Sequence, residues 1–237
     1  MKQNFRDTGE YIPEISIIIP VYNEAASIKQ VLAKLQEVLN RADFTYEILV
    51  VNDGSTDGTG DILTNLNVRT INHNINRGYG ASLKTGVRSI QSEFFVIIDA
   101  DGTYPEEELL NITASRHDFD MIIGARTGED VNIPLIRKPA KKFITWLASY
   151  VANRKIPDLN SGLRIMRRKI VLKYIKLLPD GFSFTSTISL AMLVGGYRVK
   201  YIPVNYKHRA GNSKIRPFYD TINFILLIVR TITYFRP

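Results

Sequence analysis

The sequence has no cysteine and no long apolar run. Without cysteine, the 237-residue chain can form no disulfide and has no thiol nucleophile. Residues 1–14 are polar and lack the apolar segment of a signal peptide. The apolar-rich run at 222–229 contains Asn223 and is far shorter than a membrane span. These absences fit a protein of a reducing compartment.

Two common nucleotide-binding motifs are also missing. No Gly-x-Gly-x-x-Gly follows the first apolar run, which argues against a dinucleotide cofactor. No Walker A motif is present, which argues against a P-loop NTPase.

Basic residues are scarce in the first half of the chain. Residues 1–125 carry 10 Lys and Arg against 18 Asp and Glu, whereas residues 126–237 carry 21 against 5. The balances of −8 and +16 give the net charge of +8 and indicate two roles on one domain. Nucleic acid is not a predicted partner, because the basic residues lack interleaved stacking aromatics and the acidic half would repel phosphates.

Short apolar runs alternate with amphipathic segments, which predicts an α/β fold with a mostly parallel, Rossmann-like sheet and helices on both faces. We expect strands at 15–21, 46–51, 68–72, 94–98, 120–126 and 199–204, with another after a turn at 158–164. Helices are expected after residue 23, up to about 66, after 80, and at 140–153, 182–194 and 218–235. Asn23 is the expected N-cap of the first helix, and Ser55 or Thr56 that of the second.

Two carboxylates, Asp99 and Asp101, follow the apolar run 94–98 directly. Ligands bind at the carboxyl ends of strands in open α/β sheets, and two adjacent carboxylates repel each other unless a cation lies between them. The pattern therefore predicts a divalent metal site that holds a diphosphate. The alternative is turn and helix-cap chemistry, since Asp-Gly is a common turn pair.

Further polar residues follow other predicted strands and should lie at the same sheet edge. Tyr22-Asn23-Glu24 follows the first strand, and Asp53 follows the second. Asp53 could accept hydrogen bonds from a base or ribose, or belong to a helix N-cap region.

Three motifs in order, Ile-Ile-Pro-Val-Tyr-Asn-Glu, Val-Asn-Asp-Gly-Ser-Thr-Asp and Asp-Ala-Asp, resemble family 2 glycosyltransferases of the GT-A fold. Gly-Ala-Arg, Asp-Leu-Asn-Ser-Gly-Leu-Arg and Arg-Ala-Gly-Asn-Ser-Lys resemble the branch of dolichol-phosphate mannose synthase and bacterial polyprenyl-phosphate glycosyltransferases. The resemblance spans about residues 15–235. It implies a metal-dependent, inverting transfer of a hexose from a GDP- or UDP-sugar to a polyprenyl (dolichyl or undecaprenyl) phosphate.

The resemblance also implies the roles of individual residues. Asp99 and Asp101 would hold Mg²⁺ or Mn²⁺, with Asp99 also near the nucleotide sugar, and Arg126 would face the acceptor phosphate. The nucleotide-sugar site would be lined by Pro20, Tyr22, Glu24, Asp53 and Ser213. A loop carrying Arg209, Ser213 and Lys214 would close over the diphosphate, so that Asp101, Arg126, Arg209 and Lys214 form the catalytic set. Thr103 stands where some relatives have Gln, which leaves metal coordination by that side chain in doubt.

The acceptor class depends on whether the site contains a general base. A sugar hydroxyl needs a carboxylate to take its proton, whereas a lipid phosphate is already anionic. Residues 181–190 contain no acid, although Asp180 lies just outside. This favours a phosphate acceptor; the alternative is a saccharide or other hydroxyl acceptor in polysaccharide or cell-envelope synthesis.

The expected organisation is a polar leader (1–14), a glycosyltransferase domain (15–216) and a C-terminal amphipathic helix (217–237). Within the domain, residues 15–125 would bind the nucleotide sugar and metal, and 126–216 the acceptor. Basic and aromatic residues on helices 140–153 and 218–235 favour contact with the cytoplasmic face of a membrane, either peripherally or with transmembrane helices beyond this chain. Core packing is the alternative for both helices.

Overall fold

The computed structural model describes residues 12–127, 149–150 and 154–207. Residues 1–11 of the predicted leader, most of the predicted helix 140–153, and the predicted helix 218–235 lie outside the described residues. Arg209, Ser213 and Lys214 also lie outside them. Across the described ranges, no helix is both long enough and apolar enough to cross a membrane.

The elements follow the predicted alternation of strand and helix. The strands are β1 (Ile15–Val21), β2 (Tyr46–Asn52), β3 (Arg69–Asn72), β4 (Phe94–Ile97), β5 (Met121–Ala125), β6 (Arg164–Arg167) and β7 (Val199–Pro203). The helices are α1 (Ile28–Leu39), α2 (Thr59–Thr64), α3 (Tyr79–Ser89), α4 (Glu108–Thr113), α5 (Arg168–Tyr174) and α6 (Phe184–Val194). The short helices α4 and α5 were not predicted from the sequence.

The strands form one mostly parallel sheet in the order β3-β2-β1-β4-β6-β5-β7, which confirms the predicted fold class. Only β6, among the described strands, runs against its neighbours, pairing antiparallel with both β4 and β5. Because β6 runs in the opposite direction, its first residue, Arg164, pairs with Ile97 at the last position of β4. The residues just before β6 therefore reach the edge of the sheet where Asp99 and Asp101 emerge.

Apolar packing covers both faces of the sheet. All seven residues of β1 are buried, and successive side chains point to opposite faces. Ile17 and Ile19 belong to one core cluster, while Ile18 belongs to the other. The buried stripe of α1 that the sequence predicts, from Ile28 to Leu39, packs into the first cluster. This two-sided core fixes the strand ends that carry the site.

The predicted helix caps were wrong. α1 begins at Ile28 with Ser27 at its N-cap, and α2 begins at Thr59 after Gly58. Asn23 instead has a positive φ of 55°, and its Oδ1 accepts a hydrogen bond from the backbone N–H of Thr56 at 2.8 Å. The Asn23 N–H in turn donates to Ser55 Oγ at 2.9 Å. These hydrogen bonds join the two loops, because Asn23 lies in the loop after β1 and both of its partners lie in the loop after β2.

We predict that Gly86→Ala destabilises the fold by about 1–3 kcal/mol, because overpacking forces neighbouring groups to shift. A Cβ at Gly86, in α3, would lie 2.7 Å from Cγ2 of Ile18 in β1. Gly60→Ala in α2 is the matched control, since the nearest group to its Cβ is Asn52 Nδ2 at 3.5 Å. Urea unfolding measures both variants, and equal midpoints would contradict the predicted close packing of α3 on β1.

Candidate active site

The carboxyl edge of the sheet gathers the polar residues that the sequence singled out. Asp53 directly follows β2, Asp99 and Asp101 follow β4, and Arg126 directly follows β5. β2 and β4 both pair parallel with β1, and β5 runs in the same direction as β4 because β6 pairs antiparallel with both, so their carboxyl ends share one edge.

Asp101 is oriented by the residue two positions later. Its Oδ1 accepts hydrogen bonds from the Thr103 hydroxyl at 2.6 Å and from the Thr103 N–H at 3.1 Å. Thr103 is only 1% exposed. The sequence left the role of Thr103 open, and the structure shows that its hydroxyl holds the Asp101 carboxylate.

The Asp99 carboxylate is enclosed from two sides. The Tyr79 hydroxyl donates to its Oδ1 at 3.0 Å. Burial and then the negative charge of Asp99 raise the pKa of Tyr79 well above its usual value, so the phenol keeps the proton that it donates. On the other side, a Cβ at Gly162 would lie 2.1 Å from Asp99 Oδ2.

Gly162 is itself held in place by a short hydrogen-bonded chain. Its N–H donates to the Tyr104 hydroxyl at 2.8 Å, and that hydroxyl lies 3.1 Å from Ser161 Oγ. Ser161 Oγ donates to the carbonyl of Gly124 in β5. Tyr104 and Ser161 are buried, so the backbone at Gly162 is fixed against the Asp99 side chain.

A fully buried guanidinium lies next to this chain. Arg164 donates hydrogen bonds to the Ser161 carbonyl, to the Thr185 carbonyl at 2.9 Å and to Ser189 Oγ at 2.8 Å. Burial lowers the pKa of Arg164. Arg164 thereby joins the loop before β6 to helix α6. No role for Arg164 was predicted from the sequence, although Arg164 is the last residue of the motif Asp-Leu-Asn-Ser-Gly-Leu-Arg.

Asp53 lies in the expected loop, and its described contacts are within the protein. It is 3% exposed. Its Oδ1 lies 2.6 Å from His73 Nδ1 and accepts from the Arg77 N–H at 3.0 Å, while Oδ2 accepts from the Gly78 N–H at 2.8 Å. Asp53 therefore anchors the loop between β3 and α3, and its reading of a base or ribose stays a prediction.

Arg126 forms a two-pronged ion pair with buried Asp158. Arg126 Nε and Nη2 donate to the two carboxylate oxygens of Asp158 at 2.6 and 2.9 Å. The guanidinium carbon also lies 5.2 Å from the centre of the Tyr206 ring. The pair fixes the plane of the Arg126 guanidinium at the sheet edge. The partnership with Asp158 was not predicted from the sequence, although Asp158 begins the same motif that ends at Arg164.

The other predicted nucleotide-site residues lie in or after β1. Pro20 is the sixth residue of β1, and Tyr22 is half-buried just beyond the strand. The Glu24 N–H donates to Thr59 Oγ1 at 3.0 Å, and its side chain accepts from Ser27 Oγ at 3.0 Å. Their contact with a nucleotide sugar stays a prediction.

The donor set at the end of β4 fits a magnesium or manganese ion. Within residues 12–127, 149–150 and 154–207, no group of three or more His, Cys, Asp or Glu side chains could hold a metal. Mg²⁺ commonly binds to one or two carboxylates and takes its remaining ligands from substrate phosphates and water. Asp99 and Asp101 provide such a pair, and the oriented Asp101 carboxylate is the kind of oxygen donor that this chemistry requires.

Residues 16–175, more than half of the chain, match the model of glycosyl transferase family 2. The chain belongs to this family. Among similar proteins, this family 2 chain is 28% identical over 207 residues to dolichyl-phosphate hexose transferase of Haloferax volcanii, covering 86% of the chain and 88% of the relative. It is 25% identical to undecaprenyl-phosphate 4-deoxy-4-formamido-L-arabinose transferase of Salmonella choleraesuis, covering 94% of the chain and 68% of the relative.

Solved structures with the same fold support the GT-A assignment. Mannosyl-3-phosphoglycerate synthase of Rubrobacter xylanophilus superposes with a TM-score of 0.71 at 17% identity, covering 94% of this chain and 73% of its own. Glucosyl-3-phosphoglycerate synthase of Mycobacterium tuberculosis, in complex with Mn²⁺, UDP-glucose and phosphoglyceric acid, gives a TM-score of 0.70 at 15% identity, covering 93% and 80%. The family 2 chain is thus a GT-A glycosyltransferase in a single domain.

We predict that Gly162→Ala lowers donor turnover on the order of 10- to 100-fold, the usual cost of disturbing groups that orient metal ligands. The added methyl group would displace the Asp99 carboxylate, whose Oδ2 lies 2.1 Å from the Cβ position. Nucleotide release is the measurement, with thermal melting to verify folding and Gly60→Ala as the control substitution. Wild-type turnover in Gly162→Ala would show that the position of Asp99 does not matter.

Proposed function

We propose that this enzyme transfers a hexose from a GDP- or UDP-sugar to a polyprenyl phosphate, with inversion at the anomeric carbon. The observation that carries this proposal is similarity over most of the chain to transferases named for dolichyl- and undecaprenyl-phosphate. The carboxylate pair at the end of β4 supports it, because a divalent cation held there would offset the negative charge of the donor diphosphate.

The reaction is a single in-line displacement. An oxygen of the acceptor phosphate attacks the anomeric carbon, the bond from that carbon to the nucleotide diphosphate breaks, and the nucleoside diphosphate leaves with the bonding electrons. A bound Mg²⁺ or Mn²⁺ supplies Lewis-acid stabilisation of the negative charge on the leaving diphosphate. Asp99 and Asp101 would hold that ion. Arg126 would bind the acceptor phosphate, while Arg209, Ser213 and Lys214 would close over the diphosphate.

The position of Asp180 supports a phosphate acceptor. Its Oδ1 accepts a hydrogen bond from Lys84 Nζ at 2.7 Å, and its side chain is 66% exposed. A general base must reach the proton that it removes, and this carboxylate is instead paired with a lysine on α3. An acceptor phosphate needs no base, because its attacking oxygen already carries negative charge.

The organisation of the chain extends the proposal. Residues 15–125 form the nucleotide-sugar and metal half, and residues 126–216 form the acceptor half that recognises the lipid phosphate. The acceptor is a membrane lipid, so the enzyme would work at the cytoplasmic face of the membrane. The excess of basic residues after position 125 favours that surface, because anionic headgroups attract Lys and Arg.

The direct test is incubation with radiolabelled GDP- and UDP-hexoses, a short-chain polyprenyl phosphate and Mg²⁺ or Mn²⁺. We expect a labelled lipid that disappears when EDTA removes the metal. The transfer rate of the Asp101→Ala variant should be lower than that of wild type by about 100-fold or more, while the variant remains folded. The reason is that stabilisation of the leaving group's charge by a metal ion is worth several kcal/mol. No lipid-linked product from any common donor would refute the proposed function, and an active Asp101→Ala would refute the metal site.

Asp180→Asn separates the two acceptor classes. We expect this variant to transfer sugar to polyprenyl phosphate within about twofold of wild type, because general-base catalysis, usually worth 10²–10⁴-fold, is not required. Glu93→Gln removes another exposed carboxylate that pairs with a basic side chain, Arg167, and is the matched control. Transfer to saccharides that is lost only in Asp180→Asn would favour the hydroxyl-acceptor alternative.

A further inference from the structure

Tyr79 is the first residue of α3 and is not among the residues that sequence analysis placed in the site. Its hydroxyl donates to Asp99 Oδ1 at 3.0 Å. Its ring stacks on Phe182, with ring centres 5.6 Å apart and planes inclined by 21°. The tyrosine therefore connects the start of a helix to one of the two carboxylates at the end of β4.

The backbone around Tyr79 is fixed by two other segments. Asp53 accepts hydrogen bonds from the N–H groups of Arg77 and Gly78, directly before Tyr79. On the other side, a Cβ at Gly78 would lie 2.5 Å from the Asp180 carbonyl oxygen, which also accepts from the Ala81 N–H at 3.0 Å. The phenol thus projects from an anchored turn, and its hydroxyl has a defined position relative to Asp99.

Gly162 and Tyr79 restrict the Asp99 carboxylate in different ways. A Cβ at Gly162 would lie 2.1 Å from Oδ2 and 2.8 Å from Oδ1, so close packing limits the carboxylate there, whereas the Tyr79 hydroxyl donates a hydrogen bond to Oδ1. Together the two contacts set the plane of the carboxylate. A ligand whose orientation is already set loses less conformational freedom when it binds a cation, and groups that orient metal ligands contribute measurably to affinity.

We propose that Tyr79 is a positioning residue that sets the orientation of Asp99 for a divalent cation; this inference rests on the proposed function. Tyr79 is not proposed to contact the reacting atoms. It acts through Asp99, in the same way that Thr103 acts through Asp101. The two carboxylates are therefore oriented by two different hydroxyl groups, one from α3 and one from the turn after β4.

The test is Tyr79→Phe, which removes the hydroxyl and keeps the ring that stacks on Phe182. Mn²⁺ binding is followed by electron paramagnetic resonance in the presence of UDP and, separately, GDP. We expect Mn²⁺ affinity to fall about 10-fold, the lower end of the usual effect of losing a group that orients a metal ligand. Binding of the same nucleotides in EDTA, followed by thermal shift, should stay within about twofold of wild type, because the Asp53 contacts to the loop are unchanged.

Tyr46→Phe is the matched control. Tyr46→Phe also removes a hydrogen bond of a tyrosine hydroxyl, which accepts from Gln36 Nε2 at 2.5 Å, but buried Tyr46 begins β2 at the opposite edge of the sheet. Its Mn²⁺ affinity should equal that of wild type.

Two results for Tyr79→Phe would overturn the inference alone: unchanged Mn²⁺ affinity, or equal losses of Mn²⁺ and metal-free nucleotide binding, which would indicate a structural role for the loop. A wild-type protein that binds no Mn²⁺ with either nucleotide would overturn the proposed metal-dependent function itself, and the inference with it.

Discussion

The side chain of Asp99 occupies the space that any side chain at position 162 would fill, and the rest of the site depends on this close approach. This close approach is possible because β6 runs antiparallel to β4, which brings the turn before β6 to the carboxyl end of β4. Position 162 requires glycine, because the Cβ of any other residue would lie 2.1 Å from Asp99 Oδ2. Tyr104, Ser161 and Arg164 then hold the turn from behind with buried hydrogen bonds. A single reversed strand thus brings the two halves of the chain into contact at the carboxylate pair.

The acidic and the basic halves of the sequence both contribute charged residues near the carboxyl ends of the strands. The acidic half contributes Asp53, Asp99 and Asp101 from the ends of β2 and β4, and the basic half contributes Arg126 and Arg164. Each charged group is held by a named partner: Asp53 by His73 and the loop amides, Asp101 by Thr103, Arg126 by Asp158. The orientation of these groups is therefore set by contacts within the protein, which would lower the cost of binding the proposed diphosphate and cation.

Much of the fold could be predicted from the sequence, because buried parallel strands appear as continuous apolar runs and the helices between them have an apolar stripe. β1 and the stripe of α1 are examples in which local pattern and tertiary packing agree. The helix caps could not be predicted in the same way. Asn23 and Ser55 are common capping residues, but their partners lie across two loops, and sequence spacing carries no information about such contacts. α4 and α5 span only six and seven residues, which is too short for a clear periodicity.

The candidate site was also only partly predictable from the sequence. The residues at strand ends were predictable because topology brings them to one edge. The residues that orient them could not be predicted, because their contacts are distant in sequence. Tyr79 and Gly162 lie 20 and 63 residues from Asp99, and Asp158 lies 32 residues from Arg126. Thr103 was noticed only as a departure from the family pattern, and its role became clear from its hydrogen bonds to Asp101.

We propose that Asp99 and Asp101 hold a divalent cation against the diphosphate of the donor. Anomalous diffraction from crystals grown with Mn²⁺ and UDP or GDP measures this most directly. We expect one strong manganese peak at the end of β4, within coordination distance of a carboxylate oxygen of Asp101 and beside Asp99, with the diphosphate completing the ligand set. Bound nucleotide with no manganese peak there, or a peak held by other residues, would contradict it.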